Sequence, residues 1–159
     1  MKPIIPFIFT LMALFLSACS PAAKLPPVVS GSTETAPAST QETSEGLTRT
    51  DQQGVVVVSV TPLNLNTPGQ TLDFEVSMET HSVELSMDLT TLATLATDTG
   101  LQVQAISWEG PRGGHHISGT LSFPATADGK PLPAGASQLT LTIISVDAAA
   151  RTFTWDITP

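Results

Sequence analysis

The sequence has few of the residues on which several classes of function depend. It contains a single cysteine, 5% aromatic residues, and six lysine and arginine residues against 14 aspartate and glutamate residues. One cysteine excludes a disulfide framework within the chain, and it excludes every multi-cysteine metal or iron–sulfur site. The net charge of −8 argues against nucleic-acid binding, because that function needs a basic face that displaces phosphate counterions.

The sequence also lacks the short motifs that mark common catalytic sites. It has no His-Glu-x-x-His, no phosphate-binding loop, no dinucleotide fingerprint and no Gly-x-Ser-x-Gly elbow. Glycosidases need two carboxylates that flank a sugar, and Glu109, which lies near Trp108, has no evident partner. We therefore expect that the protein is not an enzyme.

The amino terminus has the pattern of a secretory signal. Lys2 supplies a positive charge, and residues 4–16 form an apolar run that only Pro6 and Thr10 interrupt. This run of ~13 residues is too short to cross a bilayer, which takes ~20 helical residues. It therefore predicts the core of a signal peptide.

The residues that follow this core are more specific. Leu16-Ser17-Ala18-Cys19 resembles the lipobox of bacterial lipoprotein precursors, and the resemblance covers residues 1–19. It implies a signal peptide over residues 1–18, cleavage before Cys19, and a diacylglycerol on the Cys19 thiol. The alternative is an ordinary secretory signal that happens to contain a cysteine. Acyl chains would hold the protein in the cell envelope, on the outer face of the cytoplasmic membrane or on the outer membrane.

The region after Cys19 is predicted to be a spacer. Residues 20–53 contain four prolines, eleven serines or threonines and no aromatic residue. Such a composition buries too little apolar surface to offset the entropy of ordering, so we expect a disordered linker over residues 19–53. As a flexible coil, the 34 residues from 20 to 53 span roughly 30 Å.

From Gly54 the pattern changes to that of an all-β domain over residues 54–159. Apolar and polar residues alternate in short segments separated by turn signals, as in residues 72–78, where the even positions are apolar. The alternation changes phase at Thr80-His81-Ser82, which predicts a break in the strand. The spacing predicts an immunoglobulin-like antiparallel β-sandwich of seven or eight strands, with a small Greek-key barrel as the alternative.

One loop of this domain carries the residues best suited to bind a ligand. Two glycines, Gly113 and Gly114, lie where the loop meets the next strand and would allow a close approach to its backbone. Arg112 could stack on a nearby indole ring or join a carboxylate to form a platform for an anion or a sugar. The candidate ligand-binding residues of this loop are Trp108, Glu109, Arg112, His115 and His116.

All three histidines of the chain fall in the predicted domain, and they suggest a metal site. Neighbouring residues of a strand point to opposite faces, so only one of His115 and His116 can converge with His81. Thioethers from Met78 and Met87 would favour copper, and carboxylates from Glu79 and Glu109 would favour zinc. The alternative is that the methionines belong to the core and that the histidines are hydrogen-bonded residues of loops and edges.

Together these patterns predict a membrane-tethered, non-enzymatic binding or interaction module outside the cytoplasm. Its partners would be the membrane, through the lipid, and a protein of the envelope. The alternative function is a metal-binding protein that takes copper, or less readily zinc, through its histidines; no other cofactor is implied. The sequence leaves the ligand and the oligomeric state open.

Overall fold

The computed structural model describes residues 46–157. The predicted signal peptide, Cys19 and most of the predicted linker lie outside the described residues. The described part is built from antiparallel strands and contains one helix of four residues, α1 (Leu89–Leu92). No helix in this part is long and apolar enough to cross a membrane.

Eleven strands follow one another along residues 46–157. They are β1 (Arg49–Asp51), β2 (Val57–Pro62), β3 (Thr71–Glu79), β4 (Ala93–Thr97), β5 (Gln102–Gln104), β6 (Ser107–Glu109), β7 (His116–Pro124), β8 (Thr126–Ala127), β9 (Lys130–Pro131), β10 (Gln138–Ile144) and β11 (Ala150–Asp156). One sheet has the order β1-β2-β3-β7-β6 and a second has the order β11-β10-β4-β5. The short strands β8 and β9 form a separate hairpin.

The strand order confirms the predicted immunoglobulin-like sandwich. The strands β2, β3, β4, β5, β6, β7, β10 and β11 can be lettered A, B, C, C′, D, E, F and G in that order. With these letters the two sheets read A-B-E-D and G-F-C-C′. This is the arrangement of constant-type immunoglobulin domains with one added strand. These eight strands match the predicted count of seven or eight. Strand β1 at the edge of the first sheet and the separate β8–β9 hairpin come in addition to them.

The core lies between the two sheets and follows the alternation of the sequence. In β3 the even residues from Leu72 to Met78 are fully buried, while the odd residues are partly or fully exposed. Phe74 is at the centre of the aromatic packing, with its ring edge-on to Phe123 at 5.7 Å and tilted against Trp155 at 5.4 Å. Buried residues from both sheets form a single cluster, so the sandwich has one core.

The folded part begins before the boundary predicted at Gly54. Strand β1 pairs with β2 along its whole length, and Leu47 packs against the core. The indole Nε1 of Trp155 donates to the carbonyl oxygen of Leu47 at 2.5 Å. Residues 48–53 are polar and are held mainly by hydrogen bonds. The composition of this segment is that of a linker, which is why the predicted boundary falls after it.

The segment from Leu101 to Trp108 crosses between the two sheets. Strand β5 ends at Gln104 in one sheet and β6 begins at Ser107 in the other. At the crossing, the backbone N–H of Ala105 donates to the carbonyl oxygen of Ala93 in the sheet of β4. The N–H of the exposed Ile106 donates to the carbonyl oxygen of Ser122 in the sheet of β7. Apolar and polar residues alternate over residues 101–105, and their burial follows this alternation. The pattern does not reveal that the chain changes sheet.

Candidate functional site

The predicted ligand-binding loop, residues 108–116, rests on the segment that follows β3, residues 80–88. The backbone N–H of Thr80 donates to the carbonyl oxygen of His115 at 2.9 Å, which extends the β3–β7 pairing by one bond. Leu85 donates to the carbonyl oxygen of Gly114 at 3.0 Å and accepts from the N–H of Gly113 at 2.8 Å. The two segments therefore form one surface, which we call the histidine end of the domain.

The two glycines of this loop are needed for its contact with Glu84. The backbone N–H of Gly114 donates to Glu84 Oε1 at 2.7 Å. Gly113 and Gly114 have φ angles of 99° and 103°, and a Cβ atom on Gly113 would lie 2.8 Å from Glu84 Oε1. The predicted approach of a ligand to this backbone is thus replaced by a carboxylate of the chain itself. Glu84 was not among the residues predicted for this site.

Trp108 and Arg112 do not form the predicted platform. The Trp108 ring is half-buried against the core and lies over Gly110, where an added Cβ would be only 2.4 Å from Cζ2. Its Nε1 donates to the carbonyl oxygen of Pro111 at 3.3 Å. The guanidinium of Arg112 pairs with Asp88 at 3.3 Å instead of with Glu109, which is exposed on β6 opposite Thr120.

Asp88 joins the loop to the short helix and was not predicted as part of the site. Its carboxylate caps α1 and accepts from both the hydroxyl and the backbone N–H of Thr90. These two hydrogen bonds lower the pKa of Asp88; partial desolvation opposes them, and the positive charge of Arg112 adds to the lowering. The signal in the sequence is an aspartate directly before Leu-Thr-Thr, which is typical of a helix N-cap.

The structure brings His81 and His116 together and leaves His115 out. The ring centroids of His81 and His116 are 5.6 Å apart, and the two rings are inclined at 70°. His116 opens β7 directly opposite Glu79 of β3, and His81 follows two residues after Glu79. All three histidine side chains are exposed, but His115 contributes only its carbonyl oxygen to the pairing with Thr80.

The further ligands predicted for a metal do not join this pair. Among residues 46–157, no group of three or more histidine, cysteine, aspartate or glutamate side chains could hold an ion. Met78 is fully buried in the core and Met87 packs against it, so the alternative interpretation of the methionines is confirmed. Glu109 pairs with Thr120, four residues along β7 from His116, which is too far to share an ion.

The histidine end lies opposite the end at which the described chain begins. The hydroxyl of Thr48 is hydrogen-bonded to that of Thr61, which pairs with Glu75 in the middle of β3. Strand β1 runs from Arg49 opposite Val60 to Asp51 opposite Val58, so the chain before Arg49 lies on the side of β3 that begins at Thr71. Glu79 and His116 lie at the other end of the β3–β7 pair. The nine residues of β3 make eight steps of ~3.4 Å, so the two ends of this strand are roughly 27 Å apart.

Comparison with known proteins adds no relative to these observations. No protein-family model, no curated protein and no solved structure matches the chain.

Proposed function

We propose that the protein is a lipid-anchored, non-enzymatic interaction module of the cell envelope that presents its histidine end to a partner. The anchor is the diacylglycerol that the lipobox-like residues 16–19 imply on Cys19. The observation that carries the proposal is the placement of Gly46 and the histidine end at opposite ends of the sandwich. A chain that is held through residues before Gly46 is attached on the side away from the histidine end, which leaves the histidine end free to meet a partner.

The construction of this end supports a role in recognition. Its backbone is held by bonds that join residues 80–88 to residues 113–115, so the surface keeps its shape without a ligand. Its charged groups are mixed, with Arg112 and Asp88 exposed side by side and Glu84 bonded to the backbone of Gly114. A preformed polar surface binds with a small entropic penalty, which suits a protein partner.

Mass spectrometry of the protein from its native envelope tests the anchor. We expect a mature chain that begins at Cys19 and carries a diacylglyceryl group. The variant Cys19→Ser should lack the lipid, whereas Ser20→Ala, which keeps the thiol, should carry it. A wild-type chain with an unmodified thiol and an attached leader would contradict the proposal.

Energy transfer to the membrane tests the orientation. A dye on Arg112→Cys should transfer less energy to acceptors in the bilayer than a dye on Thr99→Cys, because Thr99 lies in the turn after β4, at the same end as Gly46. Both positions are exposed, so the variants are matched. Equal transfer from both positions, or greater transfer from position 112, would rule out this orientation.

Photo-crosslinking in intact envelopes tests the recognition surface. A crosslinker at position 112 should give a discrete protein adduct that the same crosslinker at position 99 does not give. The adduct should also weaken when Glu84 is changed to Ala, since this removes the carboxylate that accepts from the Gly114 N–H and holds the loop backbone. Identical adducts from both positions would show that the histidine end is not the binding surface.

A further inference from the structure

The distance between the rings of His81 and His116 is compatible with sharing one metal ion. Imidazole nitrogens bind Zn²⁺ and similar ions at ~2.0–2.1 Å, which puts each ring centre about 3 Å from the ion and two bound rings at most about 6 Å apart. The observed separation of the two ring centres, 5.6 Å, is within this limit. Both side chains are exposed, so solvent ions reach their ring nitrogens.

We propose that His81 and His116 form a two-imidazole site for one divalent transition-metal ion, preferentially Cu(II), with its remaining coordination positions open to solvent. The site does not depend on the anchor or on the partner proposed above. It uses the one pair of histidines that the fold brings into ring contact, and it leaves His115 without a role in binding.

The two histidines are held by different parts of a rigid frame. His116 is the first residue of β7 and pairs with Glu79 across the sheet. His81 follows the hydrogen bond from Thr80 to His115, which fixes the chain where it leaves β3. Because backbone pairing sets both positions, the backbone need not rearrange when an ion binds, and the entropy lost is that of the two imidazole side chains.

The donor atoms favour Cu(II) over other ions. The pair offers imidazole nitrogens alone, since the thioether of Met78 is buried in the core. For nitrogen ligands, affinity among divalent first-row ions is highest for Cu(II). The surrounding charge also favours a cation, because residues 46–157 carry eleven acidic and four basic side chains, and the exposed Glu79 lies directly opposite His116.

The ion remains open because the described part of the chain offers only two ligands. Sites that serve structure use four protein ligands, whereas sites with fewer keep positions for water or another ligand. No third side chain of the histidine, cysteine, aspartate or glutamate type completes the set among residues 46–157. The bound ion is therefore exchangeable and free to take a ligand from solution.

Calorimetric titration with Cu(II) alone tests the site. The full chain is used in detergent micelles, with Cys19→Ser in every sample so that no thiol binds copper. We expect one high-affinity ion per chain, and a loss of affinity of at least roughly tenfold in His81→Ala and in His116→Ala, because weaker second-shell changes already cost 10–100-fold. The matched control His115→Ala removes an exposed histidine next to the site and should bind like the parent.

Two further measurements complete the test. Paramagnetic resonance of bound Cu(II) should show two equivalent nitrogen ligands in the parent and one in either single variant, and sedimentation should show that the loaded chain has the same mass as the free chain. Equal affinity in all variants, or an equal loss in His115→Ala, would overturn the site. A doubled mass of the copper-loaded chain would mean that two chains share one ion, and this would contradict the proposal that the remaining coordination positions are open to solvent.

Discussion

The guanidinium of Arg151 lies 2.5 Å from the carboxylate of Asp51, which stands 100 residues earlier in the chain. Arg151 is fully buried, and it also donates to the carbonyl oxygens of Val146 at 2.9 Å and of Gln53 at 2.6 Å. A buried guanidinium is tolerated only when its donors are satisfied. Arg151 therefore fastens the segment around β1 to the β10–β11 hairpin.

Removing this guanidinium should destabilise the domain strongly. Arg151→Ala leaves Asp51 and two carbonyl oxygens without their donor, and it opens a cavity in the packed interior. We expect the free energy of unfolding to fall by about 3–5 kcal/mol, as when a buried pair is broken. Urea denaturation followed by tryptophan fluorescence measures the change.

The exposed pair of the domain provides the control for this prediction. Arg112 and Asp88 are 60% and 39% exposed, so Arg112→Ala should lower the free energy of unfolding by less than about 1 kcal/mol. Similar losses in the two variants would show that Arg151 does not act as a buried anchor.

Asp51 should make the stability depend on pH in the acid range. Partial burial of the carboxyl raises its pKa, but hydrogen bonds from the side chain and backbone of Gln53, together with the charge and hydrogen bond of Arg151, outweigh this effect and lower the pKa. The unfolded chain then binds a proton more readily than the folded chain. The contribution of Asp51 is present above the unfolded pKa and is lost as the pH falls from about 5 to about 2.

The variant Asp51→Asn isolates this contribution. It should be less stable than the wild type at neutral pH and should lose less stability than the wild type between pH 5 and pH 2, as measured by thermal melts. Asp156→Asn removes a negative charge from an exposed strand position and controls for net charge. Parallel pH curves for the wild type and Asp51→Asn would disprove the linkage.

The start of the domain can be tested by truncation. A chain that begins at Gly54 loses the Leu47 carbonyl that accepts from Trp155, loses Asp51 beside Arg151, and exposes β2 as an edge strand. We expect its melting temperature to fall by at least roughly 10 °C, which corresponds to a loss of about 2 kcal/mol. A chain that begins at Gly46 should melt like the full chain. Equal melting of both truncated chains would place the boundary back at Gly54.

Gly119 should tolerate no side chain. A Cβ atom at this position of β7 would lie 2.5 Å from the carbonyl oxygen of Glu109, the last residue of the neighbouring strand β6, and 2.6 Å from Cα of Gly110. We expect Gly119→Ala to cost about 1–3 kcal/mol of unfolding free energy, through displacement of β6. Gly69→Ala is the control, since no atom lies within 4 Å of its added Cβ, and it should change stability by less than about 0.5 kcal/mol. A neutral Gly119→Ala would mean that β6 moves away freely.

The strands that the sequence predicted well are those whose residues alternate between core and solvent over many positions. In β3 and in β11, which carries Phe153 and Trp155, burial follows the predicted alternation. The prediction was weaker where a backbone contact with a distant segment decides the structure. The polar strand β1 has no apolar pattern, and the step at Ala105 from one sheet to the other leaves the alternation intact.

The sequence indicated which segments form the candidate site, but it did not predict which of their residues contact one another. The break after Thr80 and the glycines of the loop indicated the two segments that meet, and the alternation of strands required that only one of His115 and His116 face His81. The choice of His116 depends on the β3–β7 register, which pairs it with Glu79. The partnership of Arg112 with Asp88 depends on where α1 begins, and no local pattern links residues 24 positions apart.

The pairing of β1 with β2 also determines how the domain responds to mechanical load. The chain enters at Gly46 and runs along β2 towards Asp51, so a pull on Gly46 acts parallel to the strands. The hydrogen bonds between β1 and β2 and the ion pair of Arg151 with Asp51 then share the force. A force perpendicular to the strands would break the same bonds one at a time. A domain that is held at Gly46 would therefore resist a force applied along its strands.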